Sequence, residues 1–97
     1  MKTKEDYINI LNSHASEIKS SFGVKSLSLF GSVARNEQQC DSDIDVFVDM
    51  QPNIVLIIKL KNFLEKKLGS PIDIIRNHNN LSPFIKQEIE RDGITIF

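Results

Sequence analysis

The sequence is poor in cysteine and contains no tryptophan. Its single cysteine, Cys40, has no partner for an intrachain disulfide, which argues against a disulfide-stapled secreted scaffold. The sequence also lacks an apolar run of about twenty residues and a leader in which a charged start precedes an apolar stretch. We therefore expect a soluble protein of the cytoplasm that has no membrane segment.

An excess of charge of either sign is missing as well. Twelve lysine and arginine residues stand against thirteen aspartate and glutamate residues, which gives a net charge of −1. Because domains that bind nucleic acid usually have a positively charged surface, direct nucleic-acid binding is not expected. Apolar residues make up 40% of the 97 residues, an ordinary globular share, so residues 1–97 are predicted to fold as one domain.

The spacing of apolar residues predicts alternating helices and strands. A long amphipathic helix is expected over residues 3–22, with Thr3 and Asp6 as a capping pair and Gly23 at its end. The other predicted elements are strands at 24–30, 43–49, 71–75 and 94–97, helices at 53–68 and 83–91, and a helical turn with a loop at 33–42. This order predicts an α/β (α+β) fold, in which a small mixed sheet has helices mainly on one face and the site on the open side.

Two short motifs lie at the ends of predicted strands. Gly31-Ser32 follows the first strand, where glycine admits a close ligand and free backbone N–H groups attract phosphate oxygens. A Gly-Ser pair alone is more often an ordinary turn. Asp43 and Asp45 lie two residues apart and therefore on one side of the sheet. Two carboxylates in this position favour a bound Mg²⁺ ion whose coordination shell is completed by substrate phosphates. The alternative interpretation is a solvated face of the strand.

The combination of the two motifs is more specific than either one. Gly-Ser, ten residues and Asp-x-Asp should coincide in roughly one chain in a thousand of this length. Asp73 lies in the apolar run PIDII, where a buried carboxylate needs a partner. We expect its strand to lie beside the second strand and to bring a third carboxylate to the metal cluster.

The segment LFGSVARNEQQCDSDIDVFVDM resembles the core of the polymerase-β-type nucleotidyltransferase superfamily. With EKKLGSPIDII and IKQEIERDGITIF, the chain from Val24 to Phe97 resembles MntA-type minimal nucleotidyltransferases, the antitoxins paired with HEPN-domain toxins. The resemblance implies a polymerase-β-like fold, ATP as substrate and two Mg²⁺ ions. It also implies a hetero-oligomer with the toxin, in which AMP is transferred to a toxin tyrosine and blocks its ribonuclease activity.

The resemblance further implies roles for five residues. Gly31 and Ser32 would hold the triphosphate, and Asp43 and Asp45 would bind metal. Asp73 would be the third carboxylate, which ligates metal and activates the acceptor hydroxyl. The catalytic group is therefore predicted to consist of the three aspartates.

Several other residues near these motifs could contact the nucleotide or shape the loop. Arg35 is a candidate contact of the triphosphate, with a solvated loop arginine as the alternative. Asn36 departs from the Gly-Ser-x-Ala-Arg-Gly that is usual in the family, but asparagine tolerates left-handed backbone better than most residues. His14 and His78 are expected at the surface, and Cys40 is expected to have no role.

Two other functions remain open beside adenylylation of a protein. The chain could neutralise a toxin by covering it, with an idle nucleotide site. It could also transfer a nucleotide to a small molecule if a partner subunit completed the pocket. A protein acceptor is favoured because enzymes of this kind that act on tRNA or antibiotics usually append an acceptor-binding domain, for which this chain has no residues.

Overall fold

The computed structural model describes residues 2–37 and 43–97, and within these ranges it contains four strands and five helices. Cys40 and part of the predicted loop at 33–42 lie outside the described residues. The strands are β1 (Ser26–Phe30), β2 (Ile44–Asp49), β3 (Ile72–Arg76) and β4 (Ile94–Thr95). The helices are α1 (Lys4–Ser13), α2 (Ala15–Phe22), α3 (Gly31–Ala34), α4 (Ile54–Leu68) and α5 (Pro83–Asp92).

The four strands form one mixed sheet in the order β3-β2-β1-β4. Strand β1 pairs antiparallel with both β2 and β4, whereas β2 and β3 are parallel. A parallel pair requires a crossover connection, which α4 supplies. The mixed sheet and the helical crossover confirm the predicted fold class.

The hydrophobic core lies on one face of the sheet. Side chains of β2 alternate, so that Ile44, Val46 and Val48 are buried while the residues between them are half-buried. Helices α1, α2 and α4 cover this face, and α4 contributes the predicted apolar stripe, with Leu60, Leu64 and Leu68 fully buried. Each fully buried leucine contributes about 1.5–3 kcal/mol relative to an exposed one.

The opposite face is less open than the sequence predicted, because α5 lies against it. The residues of α5 that are half-buried fall on one helical face: Ile85, Glu88, Ile89 and Asp92. Ile89 lines a cavity together with Phe47, which points away from the core. Helix α5 therefore forms one wall above the face that carries Asp45.

The predicted helix over residues 3–22 is wrong as a single element, because it breaks at His14 into α1 and α2. The Ser13 hydroxyl donates to the Ile10 carbonyl at 2.8 Å, and the His14 N–H lies 3.2 Å from the Ile10 carbonyl and 3.3 Å from that of Leu11. Serine side chains compete with the backbone in this way and disfavour helix interiors. The break leaves Leu11 and Ile18 both buried, one on each helix.

The predicted helix ends are confirmed. Thr3 and Asp6 form the reciprocal capping box, with N–H to side-chain distances of 2.9 and 3.2 Å. Gly23 ends α2 in the left-handed conformation, and Ser82 caps α5. Within the described ranges, none of the helices has the length and apolar character needed to cross a membrane.

Candidate active site

The turn at Gly31 is shaped by a carboxylate of the neighbouring strand. Gly31 begins α3 directly after β1 and has a φ of +76°, a conformation that side chains other than glycine rarely adopt. A Cβ atom built on Gly31 would overlap the carboxylate of Asp45. Glycine is therefore required here for both backbone conformation and space.

The start of α3 offers polar groups to a ligand. Among the described residues, none caps this helix with its side chain, and its first helical bond runs from the Arg35 N–H to the Gly31 carbonyl at 3.1 Å. The N–H groups before Arg35 in this short helix have no helical acceptor. The Ser32 side chain is half-buried and has no hydrogen bond within the described part of the chain.

Asp45 and Asp73 lie in register on neighbouring strands. Asp45 pairs with Phe30 across β1 and with Asp73 across the parallel strand β3. Adjacent strands are about 4.8 Å apart, and paired residues of parallel strands point to the same face. The predicted position of Asp73 beside the second strand is confirmed.

Asp43 precedes β2 by one residue, and its side chain is exposed. In residues 2–37 and 43–97, however, the acidic, histidine and cysteine side chains do not form a group of three or more placed to hold a metal ion. The structure thus gathers the carboxylates at one end of β2 and β3 without pointing three of them at one position. Their metal-binding role stays a prediction.

The environment of Asp45 disfavours its charged form. Burial is the largest cause that raises the pKa of Asp45 to about 6, and the charges of Asp73, Asp43 and Glu88 raise it further. The charge of Arg35 acts in the opposite direction. A partly buried carboxylate among like charges is an arrangement that a bound cation would relieve.

The chemistry of the candidate ligands suits Mg²⁺, although their arrangement in the described residues does not form a metal site. The candidate ligands are all carboxylate oxygens, which suit a hard cation, and the few protein ligands leave positions for phosphate oxygens. The like charges around Asp45 supply the electrostatic reason for a cation at this point. Asp43, Asp45 and Asp73 are the candidate ligands, although in the described residues they do not surround one position.

One expectation about Asp73 is wrong. The apolar run around it predicted a buried carboxylate, but its side chain is exposed because β3 is an edge strand and Asp73 faces away from the core. The cost of desolvation falls on Asp45 instead. Asp73 is thereby accessible to a group that approaches from solvent.

Arg35, the predicted triphosphate contact, is held by two carboxylates. Its Nη1 donates to Asp92 at 3.0 Å, and its Nε donates to Glu37 at 3.2 Å. Hydrogen bonds to Asp92 and then Glu37 raise the pKa of the Arg35 guanidinium. The structure therefore places Arg35 between the Gly31 turn and α5, close enough to Asp45 to influence its charge.

Sequence reasoning missed Glu88 and Asp92. Asp92 accepts hydrogen bonds from Arg35 and Arg91, and Glu88 lies one helical turn earlier on the same face of α5. The signal was present, because acidic residues at positions 88 and 92 interrupt the apolar stripe of Ile85 and Ile89. A stripe interrupted in this way indicates a helix face turned toward a polar site.

Asn36 and the two histidines were also assigned environments from the sequence. Asn36 has a φ of 61° and is the one non-glycine residue with positive φ in the described ranges, so its tolerance of left-handed backbone is confirmed. His14 is not a plain surface residue, because its ring packs edge-on against Phe63 at 5.8 Å between centroids. His78 is exposed as expected, and its Nδ1 accepts from the Asn80 N–H at 3.1 Å.

The chain is similar in sequence to a known protein family and to several of its named members. Residues 7–97 match the family described as polymerase beta nucleotidyltransferase. The chain is 41% identical over 98 residues to MJ0126 of Methanocaldococcus jannaschii, provisionally named a protein adenylyltransferase, covering 99% of this chain and 100% of that one. It is 38% identical to the protein adenylyltransferase MntA of Thermococcus cleftensis, covering 99% and 98%.

Solved structures share the fold. A protein provisionally described as a minimal nucleotidyltransferase superposes with a TM-score of 0.76 at 27% identity, covering 96% of this chain and 95% of that one. A toxin-antitoxin crystal structure with AMP-PNP gives a TM-score of 0.71 at 20% identity, covering 89% and 72%. A complex of tri-AMPylated HEPN toxin with MNT antitoxin from Shewanella oneidensis gives 0.65 at 17% identity, covering 93% and 71%.

Proposed function

Because the chain belongs to the polymerase β nucleotidyltransferase family, we propose that it transfers AMP from ATP to a tyrosine of a HEPN-domain toxin and acts as the antitoxin. The observation that carries this proposal is the arrangement of Gly31 against Asp45, with Asp73 in register beside it. It combines a turn suited to phosphates with carboxylates suited to a cation.

The relatives support the acceptor and the donor in this proposal. The named function of the Thermococcus cleftensis relative is protein adenylylation. Structures of the same fold include a toxin-antitoxin with AMP-PNP and an MNT antitoxin with an AMPylated HEPN toxin. We therefore propose ATP as donor, a HEPN toxin as partner in a hetero-oligomer, and the cytoplasm as the compartment where both are available.

The residues of the site divide the work between them. The turn at Gly31-Ser32 would bind the phosphates through backbone N–H groups and the Ser32 hydroxyl. Asp43, Asp45 and Asp73 would hold Mg²⁺, which when bound supplies positive charge to the triphosphate and the leaving pyrophosphate. Asp73, the exposed carboxylate on the edge strand, would accept the proton of the acceptor hydroxyl.

The bonds in this step balance without a further reactant. The tyrosine oxygen forms a bond to the α-phosphorus of ATP, and the bond from that phosphorus to the bridging oxygen breaks. Pyrophosphate leaves with the bonding electrons, and the phenolic proton passes to Asp73. We further propose that residues 1–97 act as one domain, since one hydrophobic cluster joins α1, α2 and α4 to the sheet.

The experiment is transfer of label from ATP to the partner. The chain is incubated with a candidate HEPN toxin, Mg²⁺ and labelled ATP, and the toxin is examined by mass spectrometry for additions of AMP. Asp45→Asn should abolish transfer. Asp49→Asn is the matched control, because Asp49 lies on the same strand and face, is also half-buried and is outside the site.

The outcomes separate the proposal from its alternatives. Transfer to the toxin by the native chain and by the Asp49→Asn variant, but not by Asp45→Asn, supports adenylylation. Neutralisation of the toxin that survives a combined Asp43→Ala and Asp45→Ala change, with no label moved, would identify an antitoxin that acts by binding. Label on a small molecule instead of the toxin would identify a small-molecule nucleotidyltransferase.

A further inference from the structure

A cavity of about 380 Å³ lies between the sheet face that carries Asp45 and helix α5. Its volume is near the lower end of the range for pockets that bind small molecules. Apolar side chains form part of its wall, and polar groups complete its lining: Phe47, Leu81, Ile89, Asn77, Lys86 and Glu90. The proposed roles of the phosphate turn and the three aspartates do not involve this cavity.

The cavity lies on one side of the carboxylates, and the phosphate turn lies on the other. Phe47 follows Asp45 by two residues on the same strand and face, at a distance of about 6.5–7 Å along the strand. Asn77 follows β3 and donates its N–H to the Val48 carbonyl at 2.8 Å. Because Phe30 pairs with Asp45, Gly31 lies level with the start of β2, whereas Phe47 and Asn77 lie toward its end.

This order matters because displacement at phosphorus proceeds in line. The attacking oxygen and the leaving oxygen lie on opposite sides of the α-phosphorus. If the Gly31 turn holds the phosphates that leave, the acceptor approaches from the direction of the far end of β2. Asp73 lies level with Asp45, and the cavity begins at Phe47, two residues farther toward that end.

We propose that the cavity lined by Phe47, Leu81 and Ile89 binds the aromatic ring of the acceptor tyrosine, so that its hydroxyl points back toward Asp73. The proposal rests on the function proposed above and adds the surface that selects the acceptor. The ring of a tyrosine separates its hydroxyl from its backbone by a distance similar to that between Phe47 and Asp45. An aromatic ring packed on Phe47 gains about 0.5–1.5 kcal/mol beyond the burial of its area.

The lining favours a side chain over the nucleobase as occupant. The ribose and base are attached to the α-phosphorus through the ribose oxygen. They therefore extend to the side of the line that joins the attacking and leaving oxygens. Lys86 and Glu90 carry opposite charges, which suits an extended peptide with polar groups on both sides of the ring. A wall made partly of Phe47, Leu81 and Ile89 provides the apolar surface that the ring needs.

Binding of a tyrosine analogue tests the cavity without the partner protein. N-acetyl-tyrosinamide is titrated into the chain loaded with AMP-PNP and Mg²⁺, while the methyl resonances of Leu81 and Ile89 are followed by NMR. We expect saturable shifts of both methyl groups. An absence of binding, or binding that leaves both methyl groups unshifted, overturns the proposal, and so does displacement of the analogue from these methyl groups by adenosine.

A pair of variants adds a second, independent measurement. Leu81→Glu should weaken binding of N-acetyl-tyrosinamide by about tenfold or more. Phe84→Glu is the matched control, since Phe84 is 80% exposed on α5, does not line the cavity and receives the same charge. Both variants should keep the AMP-PNP affinity of the native chain, and equal weakening of analogue binding by both would contradict the assignment.

The same variants distinguish failure of the cavity from failure of the proposed function. If AMP transfer to the toxin occurs but Leu81→Glu leaves the KM for toxin unchanged, the cavity is not the acceptor site and the enzymatic function stands. If the analogue binds as expected but label never reaches a toxin, the proposed acceptor protein is wrong. The two results use different ligands and different readouts.

Discussion

The carboxylate of Asp45 occupies the space that a side chain at Gly31 would need. The pair lies at the junction of β1 and β2, where Phe30, directly before Gly31, is paired with Asp45. The phosphate turn and the central carboxylate are thus built against each other. A side chain added at Gly31 is expected to disturb both.

Gly31→Ala should therefore be more harmful than an alanine at another left-handed glycine. The cost of φ near +70° alone is about 1 kcal/mol, and overlap with the Asp45 carboxylate adds to it. Gly23→Ala is the matched control, because Gly23 has a φ of +66° and open space around its missing Cβ. Urea unfolding should show a larger loss of stability for Gly31→Ala, and AMP transfer should be lost only in that variant. Equal losses of stability in the two variants would contradict a steric conflict between Gly31→Ala and Asp45.

The stability of the metal-free protein should fall as the pH rises from about 4 to about 6. The pKa of Asp45 is raised from 3.8 to about 6, chiefly by burial, so the folded state prefers the protonated form. The contribution is fully present below the unfolded pKa and is lost as the pH passes through the folded value. After allowance for solvent screening of this half-buried group, the change should be about 1–2 kcal/mol. Denaturation in EDTA across this pH range measures it.

Asp45→Asn provides the control for that pH dependence. The variant should lack the change between pH 4 and 6 and should be more stable than the native chain at pH 7 without metal. Addition of Mg²⁺ with AMP-PNP should raise the Tm of the native chain and leave that of the variant nearly unchanged. A variant that is less stable at pH 7 would show that Asp45 makes favourable contacts outweighing its repulsion.

The Asp92 carboxylate should stabilise the protein more than Glu37, although both bind Arg35. Asp92 is 11% exposed and bonds to two arginines, whereas Glu37 is 64% exposed. Asp92→Asn should therefore lower the Tm more than Glu37→Gln at pH 7. Hydrogen bonding from Arg91 and then Arg35 lowers the pKa of Asp92, so its contribution is present above the usual carboxyl pKa and is lost as the pH falls below it. A Tm difference that persists unchanged to pH 2 would contradict this account.

Asn36 should be replaceable by glycine but not by alanine. Its φ of 61° is accessible to asparagine and glycine, and alanine in this region costs about 1 kcal/mol. Asn36→Gly should therefore change stability little and keep AMP transfer, while Asn36→Ala should lower the free energy of unfolding. Asn62→Ala, at an exposed position within α4, is the control in which the same change should be neutral or slightly stabilising. Comparable losses at both positions would argue against backbone strain at Asn36.

Local signals in the sequence predicted most of the fold. Asp45 lies on an alternating strand and Asp73 in a short apolar run, and both assignments are confirmed because hydrophobic periodicity sets which face a strand buries. The break at His14 was missed because the apolar spacing continues across it. The Ser13 hydroxyl bonds to the Ile10 carbonyl just before the break, a local contact that the apolar periodicity does not report.

Features that depend on the packing of α5 were less accessible from the sequence. Arg35 was a candidate contact of the triphosphate, which stays a prediction; its bond to Asp92 joins residues 57 positions apart, which local patterns do not specify. The same holds for Glu88, whose charge acts on Asp45 only because α5 crosses the face of the sheet. The placement of α5 over the site therefore depends on long-range packing, which local sequence patterns do not specify.

Helix α4 connects the two strands that carry Asp45 and Asp73. Its 15 residues span about 22 Å and return the chain beside the six residues of β2, which span about 20 Å. Because side chains alternate along a strand, sliding β3 by one residue would turn Asp73 into the core and bring Ile72 or Ile74 opposite Asp45. The register of β3, which its buried Ile72 helps to set, therefore decides whether a carboxylate or an apolar side chain stands beside Asp45.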